Sequence, residues 1–430
     1  MAFVQRIVWS LLVAGIVVAT SHVSGAEFIA GADMSHLPFF ESRGVVYRDN
    51  GQARDALDLL KVRGINCVRL RLFTSSAAQA ANNPYNYINN LDYTLPLAIR
   101  AKNAGFQILL DFHYSDTWAD PGHQQKPAAW SGLTFSELVQ QMRSYNSNTI
   151  AAFDAAGVMP EYVQVGNEIT GGMLFPDGAN TNSSQWNKLA QLMSAAINGI
   201  KDAAGTNMPK IVVHIDRGAR WDTTQWFFDN LAQRSVPFDI IGQSYYPWWH
   251  GTLPAFENCL TNTVRRFNKP VLIAETAFPW TNSTNIFGIP ATTNGQVEFV
   301  AELAKIIKRL PPGKAAGVVW WGTEYQQVNG VPTASFQYKS FFRTGGNILP
   351  VAAVFGQLAA PAQLQAAADP AGLRLEWPVG GAGMELRSAS GLDVADNWSP
   401  VTNPVQSAGG TFSTVVPLES GQRFFRLEKN

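Results

Sequence analysis

Cysteine is scarce in this chain, and neither sign of charge is in excess. Cys67 and Cys259 are the only cysteines among 430 residues. We expect the first in a core strand and the second in an outer helix, as separate buried thiols, so the fold does not depend on a disulfide framework. Lys plus Arg and Asp plus Glu are both 32, so the formal net charge is zero. Such a balance indicates neither nucleic acid nor an anionic membrane as a partner.

Several motifs of well-known chemistry are also missing. There is no Gly-x-Ser-x-Gly elbow, which disfavours a serine hydrolase. Asp116, Asp120 and His123 lie close in sequence, but their spacing matches no zinc pattern, and no calcium-loop signature occurs. No glycine-rich phosphate turn follows the first predicted strand. We therefore expect no metal or other cofactor.

Long apolar runs are absent after the first 26 residues, so nothing beyond them is predicted to span a membrane. Within residues 1–26, Arg6 precedes a mostly apolar run from Ile7 to Ala19, and the small residues 24–26 form a cleavage site. This pattern is typical of a secretory signal peptide. A membrane anchor is the alternative, but the run is shorter than about 20 residues. The mature protein should start near Glu27 and be secreted or periplasmic.

Apolar strands alternate with helical segments between residues 28 and 357. The predicted strands are 28–33, 66–73, 106–113, 161–168, 211–216, 238–245, 270–275 and 316–321, and helices are predicted over 49–63 and 91–103 among others. This alternation favours parallel strands joined by crossover helices. Eight strands predict an α/β fold of the closed (β/α)8 TIM-barrel type over residues 27–357. An open doubly wound sheet is the runner-up.

The composition changes after Gly356. Residues 358–372 are rich in Ala, Pro and Gln, which predicts a linker. Residues 373–430 contain short alternating strands between Gly and Pro turns, which predicts a small all-β C-terminal module. Because about 60 residues make a marginal core on their own, we expect it to pack on the barrel or to form a compact half-sandwich.

Two predicted barrel strands end in glutamate. Glu168 follows a short apolar strand, and Glu275 ends another strand more than a hundred residues later. An α/β barrel places its chemistry at the C-terminal ends of its strands. Two carboxylates there are what a retaining glycosidase needs, one as acid/base and one as nucleophile. The alternative is that each glutamate only caps a strand or pairs with a base.

Polar side chains on the second and third strands follow the period-two alternation of a strand. Arg69 and Arg71 share one face, as do Asp111 and His113. A buried arginine needs a carboxylate partner. Arg71 is nearer the rim and is the better candidate to pair with the nucleophile, whereas Arg69 suits a structural ion pair.

Aromatic residues cluster where the sixth strand ends. Either Tyr245 or Tyr246 is predicted to donate a hydrogen bond to the nucleophile, and Trp249 with its neighbour Trp248 suits a sugar platform. An aromatic cluster that closes the barrel mouth is the alternative. At the end of the eighth strand, Trp321 is predicted to form the floor of the sugar-binding subsite next to the scissile bond.

Amide, acid and imidazole side chains complete the predicted rim. Asn167 directly precedes Glu168, where its amide can bond a sugar 2-hydroxyl. On the fifth strand, His214 and Asp216 are weaker candidates. His214 could equally be a core histidine whose ring nitrogens are hydrogen-bonded within the protein.

Six segments together resemble glycoside hydrolase family 53, whose members are endo-β-1,4-galactanases. They are GADMS at 31–35, VRLRL at 68–72, LDFHYSDTWADPG at 110–122, VGNE at 165–168, SYYPWWHG at 244–251 and IAET at 273–276. The resemblance covers about residues 28–357. The Asn-Glu pair alone indicates only the wider clan of retaining barrel hydrolases, whereas the third and fifth segments are far more specific.

The resemblance implies a role for each residue of the predicted site. Glu168 corresponds to the acid/base and Glu275 to the nucleophile, with Asn167 and Arg71 in support. The substrate-binding residues expected from the resemblance and the strand ends are Asp33, Asp111, His113, Asp116, Trp118, Asp216, Trp249, His250 and Trp321. Retention requires a raised pKa for Glu168 and a low one for Glu275.

Three positions depart from the family pattern. Trp321 is followed by Gly-Thr-Glu324, where the family usually has an acid and a proline. Arg217 stands where asparagine is more usual. The loop after the seventh strand has no acid between Trp280 and Val297, so the calcium that bacterial members bind there is not supported. None of these departures affects the two glutamates.

These observations predict a monomeric, secreted hydrolase of β-1,4-galactan in type I arabinogalactan, the side chains of pectin. Two alternatives stay open. One is a retaining endo-glycanase of the same clan that acts on another β-1,4-glycan, such as mannan or xylan. The other is a secreted glycan-binding protein without catalytic activity, which the presence of both glutamates disfavours.

Overall fold

The barrel is the main body of the protein. The computed structural model describes residues 27–391, 398–418 and 422–429, without the side chains of 282–283, so the predicted signal peptide lies outside the described residues. The barrel strands are β1 (Ile29–Asp33), β2 (Cys67–Leu72), β3 (Gln107–Phe112), β4 (Tyr162–Val165), β5 (Lys210–Ile215), β6 (Ile240–Tyr245), β7 (Val271–Thr276) and β8 (Ala315–Trp320). Each pairs in parallel with the next, and β8 closes on β1. The predicted (β/α)8 barrel is therefore confirmed.

Helices connect the strands on the outside of the barrel. They are α1 (Leu37–Glu41), α2 (Ala56–Lys61), α3 (Ala77–Asn82), α4 (Pro84–Tyr87), α5 (Leu91–Asn103), α6 (Phe135–Ala155), α7 (Ser183–Ala204), α8 (Trp221–Gln233), α9 (Pro247–His250), α10 (Leu253–Phe267), α11 (Thr293–Lys308) and α12 (Val351–Gly356). Among the described residues, no helix combines the length and apolar character that a membrane span requires.

The prediction of a helix over residues 49–63 was wrong for its first half. Asn50 and Gly51 both have positive φ, so the chain turns tightly there and pairs Arg48–Asp49 with Gln52–Ala53. Helix α2 begins only after Asp55, whose carboxylate accepts hydrogen bonds from two backbone N–H groups of its first turn.

The inside of the barrel changes from apolar to polar along the strands. Cys67, Leu109 and their neighbours on the other strands form a buried apolar layer. Arg69 and Arg71 follow Cys67 by two and four residues and lie on the same face of β2. The charged groups therefore collect at the C-terminal ends of the strands. Cys67 and Cys259 are separate buried thiols, as predicted.

The C-terminal module consists of small antiparallel sheets. Its strands are β9 (Gln365–Asp369), β10 (Gly372–Pro378), β11 (Met384–Ala389), β12 (Ser399–Pro400), β13 (Gln406–Ala408), β14 (Thr411–Val416) and β15 (Phe424–Lys429). They form two sheets in the orders β9-β10-β14-β13 and β12-β11-β15. Because β9 lies within the predicted linker 358–372 and pairs with β10, that linker is shorter than predicted.

The module packs closely on the barrel. A Cβ at Gly410 would lie 2.5 Å from the Val354 side chain of α12, and one at Gly380 would lie 2.5 Å from the Ala360 carbonyl oxygen. Trp377 is buried in the same core. The Arg426 guanidinium covers the ring of Trp398, 4.3 Å from its centroid. These tryptophans therefore serve packing.

Candidate active site

A cavity of about 480 Å³ lies at the C-terminal mouth of the barrel. The predicted site residues that line it are Glu168, Glu275, Asn167, Arg71, Tyr246, His113, Trp118, Asp216, Trp249, His250 and Trp321. Four other predicted residues, Asp33, Asp111, Asp116 and Tyr245, lie outside its lining. The cavity therefore brings together most of the predicted rim, including both glutamates.

Glu168 sits on a strained turn directly after β4. Its φ of 50° lies in the left-handed region, and Gly166 two residues earlier has φ +85°. Ser244 on β6 donates a hydrogen bond to its Oε1 at 2.6 Å. Burial, and next the negative charges of Glu275 and Asp216, raise the pKa of Glu168 well above its usual value. The carboxyl therefore holds its proton more strongly than an ordinary glutamic acid.

Glu275 on β7 has very different partners. An Arg69 nitrogen lies 2.9 Å from its Oε1, and the Tyr246 hydroxyl donates to its Oε2 at 2.8 Å. Burial raises the pKa of Glu275, while the charge of Arg69 and the hydrogen bond from Tyr246 lower it. The predicted low pKa is therefore wrong in direction, because burial outweighs both partners. The pKa of Glu168 is nevertheless the more strongly raised of the two.

The arginine that pairs with Glu275 is Arg69, so the prediction for Arg71 was wrong. Arg69 reaches across the barrel interior and also bonds Asp33 at 2.7 Å and Asp111 at 2.8 Å. Arg71 instead lies 3.3 Å from Asp33 and 2.6 Å from His36 Nδ1. Asp33 thus binds both arginines and is fully buried, which explains why it does not reach the cavity.

Asp111 is a buried support. Besides Arg69, it accepts hydrogen bonds from Gln164 at 2.5 Å and from His113 Nε2 at 2.9 Å. His113 Nδ1 in turn accepts the backbone N–H of Ala119 at 2.9 Å. Asp111 therefore orients His113, which does line the cavity, and is itself closed off from substrate.

The amide of Asn167 bonds several protein groups. Its Nδ2 donates to the Ala119 carbonyl oxygen at 2.8 Å, and its Oδ1 accepts from Arg69 at 2.8 Å. His214 Nδ1 lies 3.1 Å from the same oxygen, and His214 Nε2 lies 2.8 Å from Ser244 Oγ. His214 is thus a buried histidine of the barrel interior, with a polar protein atom near each ring nitrogen.

Asp116 fixes a loop. Its carboxylate accepts hydrogen bonds from Thr74 at 2.8 Å, from Gln79 at 3.0 Å and from the backbone N–H of Ala128 at 3.0 Å. These bonds tie the β3–α6 loop to α3. The segment therefore presents Trp118, two residues later, to the cavity, while Asp116 remains outside it.

Aromatic side chains form one wall of the cavity. The Trp118 and Trp321 rings lie 6.2 Å apart, and the Arg71 guanidinium carbon lies 4.4 Å from the centroid of Trp118. Arg71 thus holds Trp118 in place by a cation–π contact. Trp249 is 64% exposed, and its ring lies 6.4 Å from that of Phe336, which in turn lies 4.1 Å from the Trp321 ring. Such faces are suited to stacking on sugar rings.

The two tyrosines at the C-terminal end of β6 have separate roles. Tyr246 bonds Glu275, whereas Tyr245 points outward, where its hydroxyl donates to the Gly251 carbonyl oxygen at 2.8 Å and its ring stacks on Phe256. Adjacent strand residues face opposite sides, so only one of the two hydroxyls can reach Glu275.

Some cavity residues escaped the sequence prediction. They are Ala119, Asp120, Pro121, Arg217 and Phe336, together with Ser244, which bonds Glu168. Alternation from Tyr246 would have indicated Ser244, which is two residues earlier on the same face. Phe336 comes from a long irregular loop without periodicity, so no signal marked it.

The loop after β7 does not fit a calcium ion. It pairs Thr281–Ile286 with Ile289–Thr292 as a hairpin, and no carboxylate lies between Trp280 and Val297. Calcium requires several oxygen ligands, usually including carboxylates. Within the described ranges, no group of three or more His, Cys, Asp or Glu side chains is placed to hold a metal ion.

Two carboxyl groups and aromatic walls around one barrel-mouth cavity are typical of glycoside hydrolases. The family described as Glycosyl hydrolase family 53 matches residues 29–355. An arabinogalactan endo-beta-1,4-galactanase of Thermothelomyces thermophilus is 34% identical, and the match covers 68% of this chain and 88% of that protein. The chain therefore belongs to glycosyl hydrolase family 53.

Solved structures agree with this assignment. The Ignisphaera aggregans GH53 catalytic domain is 34% identical with a TM-score of 0.71, and the match covers 79% of this chain and 99% of that one. A structure from work on two fungal beta-1,4-galactanases is 31% identical with a TM-score of 0.69. That match covers 77% of this chain and 99% of the fungal one. The similarity thus spans the barrel.

Proposed function

We propose that this chain is a secreted arabinogalactan endo-β-1,4-galactanase that hydrolyses β-1,4-galactosidic bonds with retention of configuration. Family membership and the names of the relatives support the activity. The observation that carries the mechanism is the contrast between the two glutamates of one cavity. Glu168 has acidic neighbours and a hydroxyl donor, whereas Glu275 has a guanidinium and a phenol.

In the first step, Glu168 gives its proton to the departing glycosidic oxygen while a Glu275 oxygen attacks the anomeric carbon. The bond from that carbon to the leaving oxygen breaks, and a glycosyl ester on Glu275 forms. The raised pKa of Glu168 keeps the proton available for this transfer. Arg69 and Tyr246 favour the ionised form of the nucleophile.

In the second step, Glu168 is ionised and takes a proton from water. The water oxygen attacks the anomeric carbon, and the ester bond to Glu275 breaks. Two inversions at one carbon restore the β configuration. We infer that no cofactor is needed, because the two carboxyl groups supply the proton transfer and the nucleophile.

We propose a polysaccharide as the partner, with neither nucleic acid nor a membrane, and a monomeric mature enzyme. The formal net charge of zero supports the exclusion of nucleic acid and anionic membranes as partners. Export through residues 1–26 is also a proposal. Expression with the native N-terminus should release protein that begins near Glu27, as measured by N-terminal sequencing of the periplasm and medium. Protein that keeps residues 1–26 in the membrane fraction would favour the anchor.

The activity is tested on linear β-1,4-galactan beside xylan, mannan and cellulose. We expect internal cleavage of galactan and no cleavage of the other three polysaccharides. NMR should show the β-configured product before the α-configured one appears. Xylan or mannan as the preferred substrate would favour another glycanase of the clan. Binding of galactan without products would favour a non-catalytic binding protein. Products that appear first in the α configuration would refute retention.

The roles of the two glutamates are tested by azide rescue of alanine variants. Glu168→Ala should form the glycosyl-enzyme from an activated aryl galactoside and then stall, and azide should restore turnover with a β-galactosyl azide. Azide with Glu275→Ala should attack from the opposite face and give the α-azide. Glu257→Ala, at an exposed ion pair with Arg309, is the matched control and should remain active. Reversed product configurations would refute the assignment.

A further inference from the structure

Asp216 and Arg217 form an ion pair on the cavity wall just after β5. An Arg217 nitrogen lies 3.0 Å from Asp216 Oδ2, and both residues line the cavity. The Arg217 side chain is 38% exposed. A guanidinium has five N–H donors, so the bond to Asp216 leaves others facing the cavity.

The backbone of this segment is held firmly. Gly218 donates its N–H to the Ser244 carbonyl oxygen at 3.1 Å, and a Cβ at Gly218 would lie 2.6 Å from that oxygen. The carbonyl oxygen of Arg217 accepts hydrogen bonds from Arg220 N at 2.9 Å and from Thr224 Oγ1 at 3.3 Å. The backbone of Arg217 is therefore tied to β6 and α8, and its guanidinium is held by the ion pair with Asp216.

The ion pair lies on the Glu168 side of the cavity. Asp216 accepts a hydrogen bond from Thr170, which follows Glu168 by two residues in the same turn. By contrast, Glu275 is surrounded by Arg69 and Tyr246. If Glu168 is the proton donor, the leaving oxygen lies beside it, and the sugar that carries this oxygen faces Asp216 and Arg217.

The charges on this side favour a neutral ligand. Asp120 and Asp216 supply two carboxylates against the single guanidinium of Arg217. His250 adds no charge, because its Nδ1 accepts the Tyr246 backbone N–H at 3.0 Å, and burial lowers its pKa to about 4. A sugar carboxylate would thus be repelled, whereas sugar hydroxyls can accept from the guanidinium.

We propose that Arg217 is a specificity-determining residue that donates hydrogen bonds to the hydroxyl groups of the neutral sugar on the leaving-group side. The inference rests on the proposed function, because it takes Glu168 as the proton donor. Hydrogen bonds from a charged donor are stronger than neutral ones, so the contact favours long substrates over those with an aryl leaving group.

The test compares two substrates with wild-type protein, Arg217→Ala and Arg217→Lys. For Arg217→Ala we expect kcat/KM on linear galactan to fall by about tenfold or more, while kcat/KM on a nitrophenyl β-galactoside stays within about twofold. Transfer of galactose to added galactobiose, relative to hydrolysis, should fall in parallel. Arg217→Lys should lie between, since it keeps the charge without the planar fork. Arg220→Ala, exposed in the same turn, is the matched control.

Two results would overturn the inference. Equal losses on both substrates would mean that Arg217 acts through Asp216 and Glu168, and a shifted pH profile would accompany them. Unchanged kinetics on galactan would mean that Arg217 does not touch the substrate. Wild-type protein without activity on galactan would refute the proposed function as well, whereas active wild-type protein with an unaffected Arg217→Ala variant refutes this inference alone.

Discussion

Replacement of Tyr246 by phenylalanine removes one hydrogen bond from Glu275. The tyrosine hydroxyl donates to Oε2 at 2.8 Å, and the ring is buried against Trp248 and Trp249, so phenylalanine keeps the packing. The donor stabilises the ionised carboxylate. Its loss should therefore raise the pKa of Glu275 further above its usual value.

The size of this effect follows from the charge of the acceptor. A hydrogen bond to a charged group contributes about 1.5–3 kcal/mol. One pKa unit corresponds to about 1.36 kcal/mol, so the pKa of Glu275 should rise by about 1–2 units. In the proposed mechanism Glu275 must be ionised to attack, so the acidic limb of kcat/KM should move to higher pH by that amount. The assay is kcat/KM against pH with an activated aryl β-galactoside.

Tyr245→Phe is the matched control. It removes the neighbouring hydroxyl, which donates to the Gly251 carbonyl oxygen at the outside of the barrel. We expect its acidic limb to coincide with that of the wild-type protein. An acidic limb that stays in place in Tyr246→Phe, or moves to lower pH, would refute the argued role of Tyr246.

Two further predictions concern the pair of glutamates and the module. Glu275→Gln removes a negative charge that raises the pKa of Glu168, so that pKa should fall in an NMR titration, while Glu257→Gln should leave it in place. A chain that ends at Ala360 should keep kcat on galactan within about twofold, because every cavity residue precedes that point. Its Tm should fall by roughly 5 °C or more, since the Val354 side chain loses its packing against Gly410 of the module. An unchanged pKa of Glu168 in Glu275→Gln would contradict the first prediction. A shortened chain that folds but does not hydrolyse galactan would contradict the second.

The barrel strands could be placed from the sequence, although β4 ends at Val165, three residues before its predicted end at Glu168. Runs such as 271–276 are apolar and β-branched, and a parallel strand buried on both faces requires this composition. Helix α5 was predicted with its observed bounds, since Asn90 caps its start. The alternation along β2 and β3 correctly placed His113 towards the cavity.

The partners of the arginines could not be predicted, because they depend on distances across the barrel. Proximity to the rim favoured Arg71, yet the side chain of Arg69 is long enough to reach Asp33, Asp111 and Glu275 at once. Sequence spacing gives the face and depth of a residue on its own strand. It does not give the register of the opposite strands, which decides the pairing.

In the proposed mechanism, the charge of Glu275 beside this shared arginine explains how one site can first give and then take a proton. Asp33, Asp111 and Glu275 carry three negative charges around Arg69, with Arg71 as a second cation beside Asp33. While Glu275 is ionised, its negative charge helps to keep the proton on Glu168. Formation of the glycosyl ester removes that charge and leaves the two remaining carboxylates balanced by the two arginines. The pKa of Glu168 must then fall, which favours the ionised form that the second step requires.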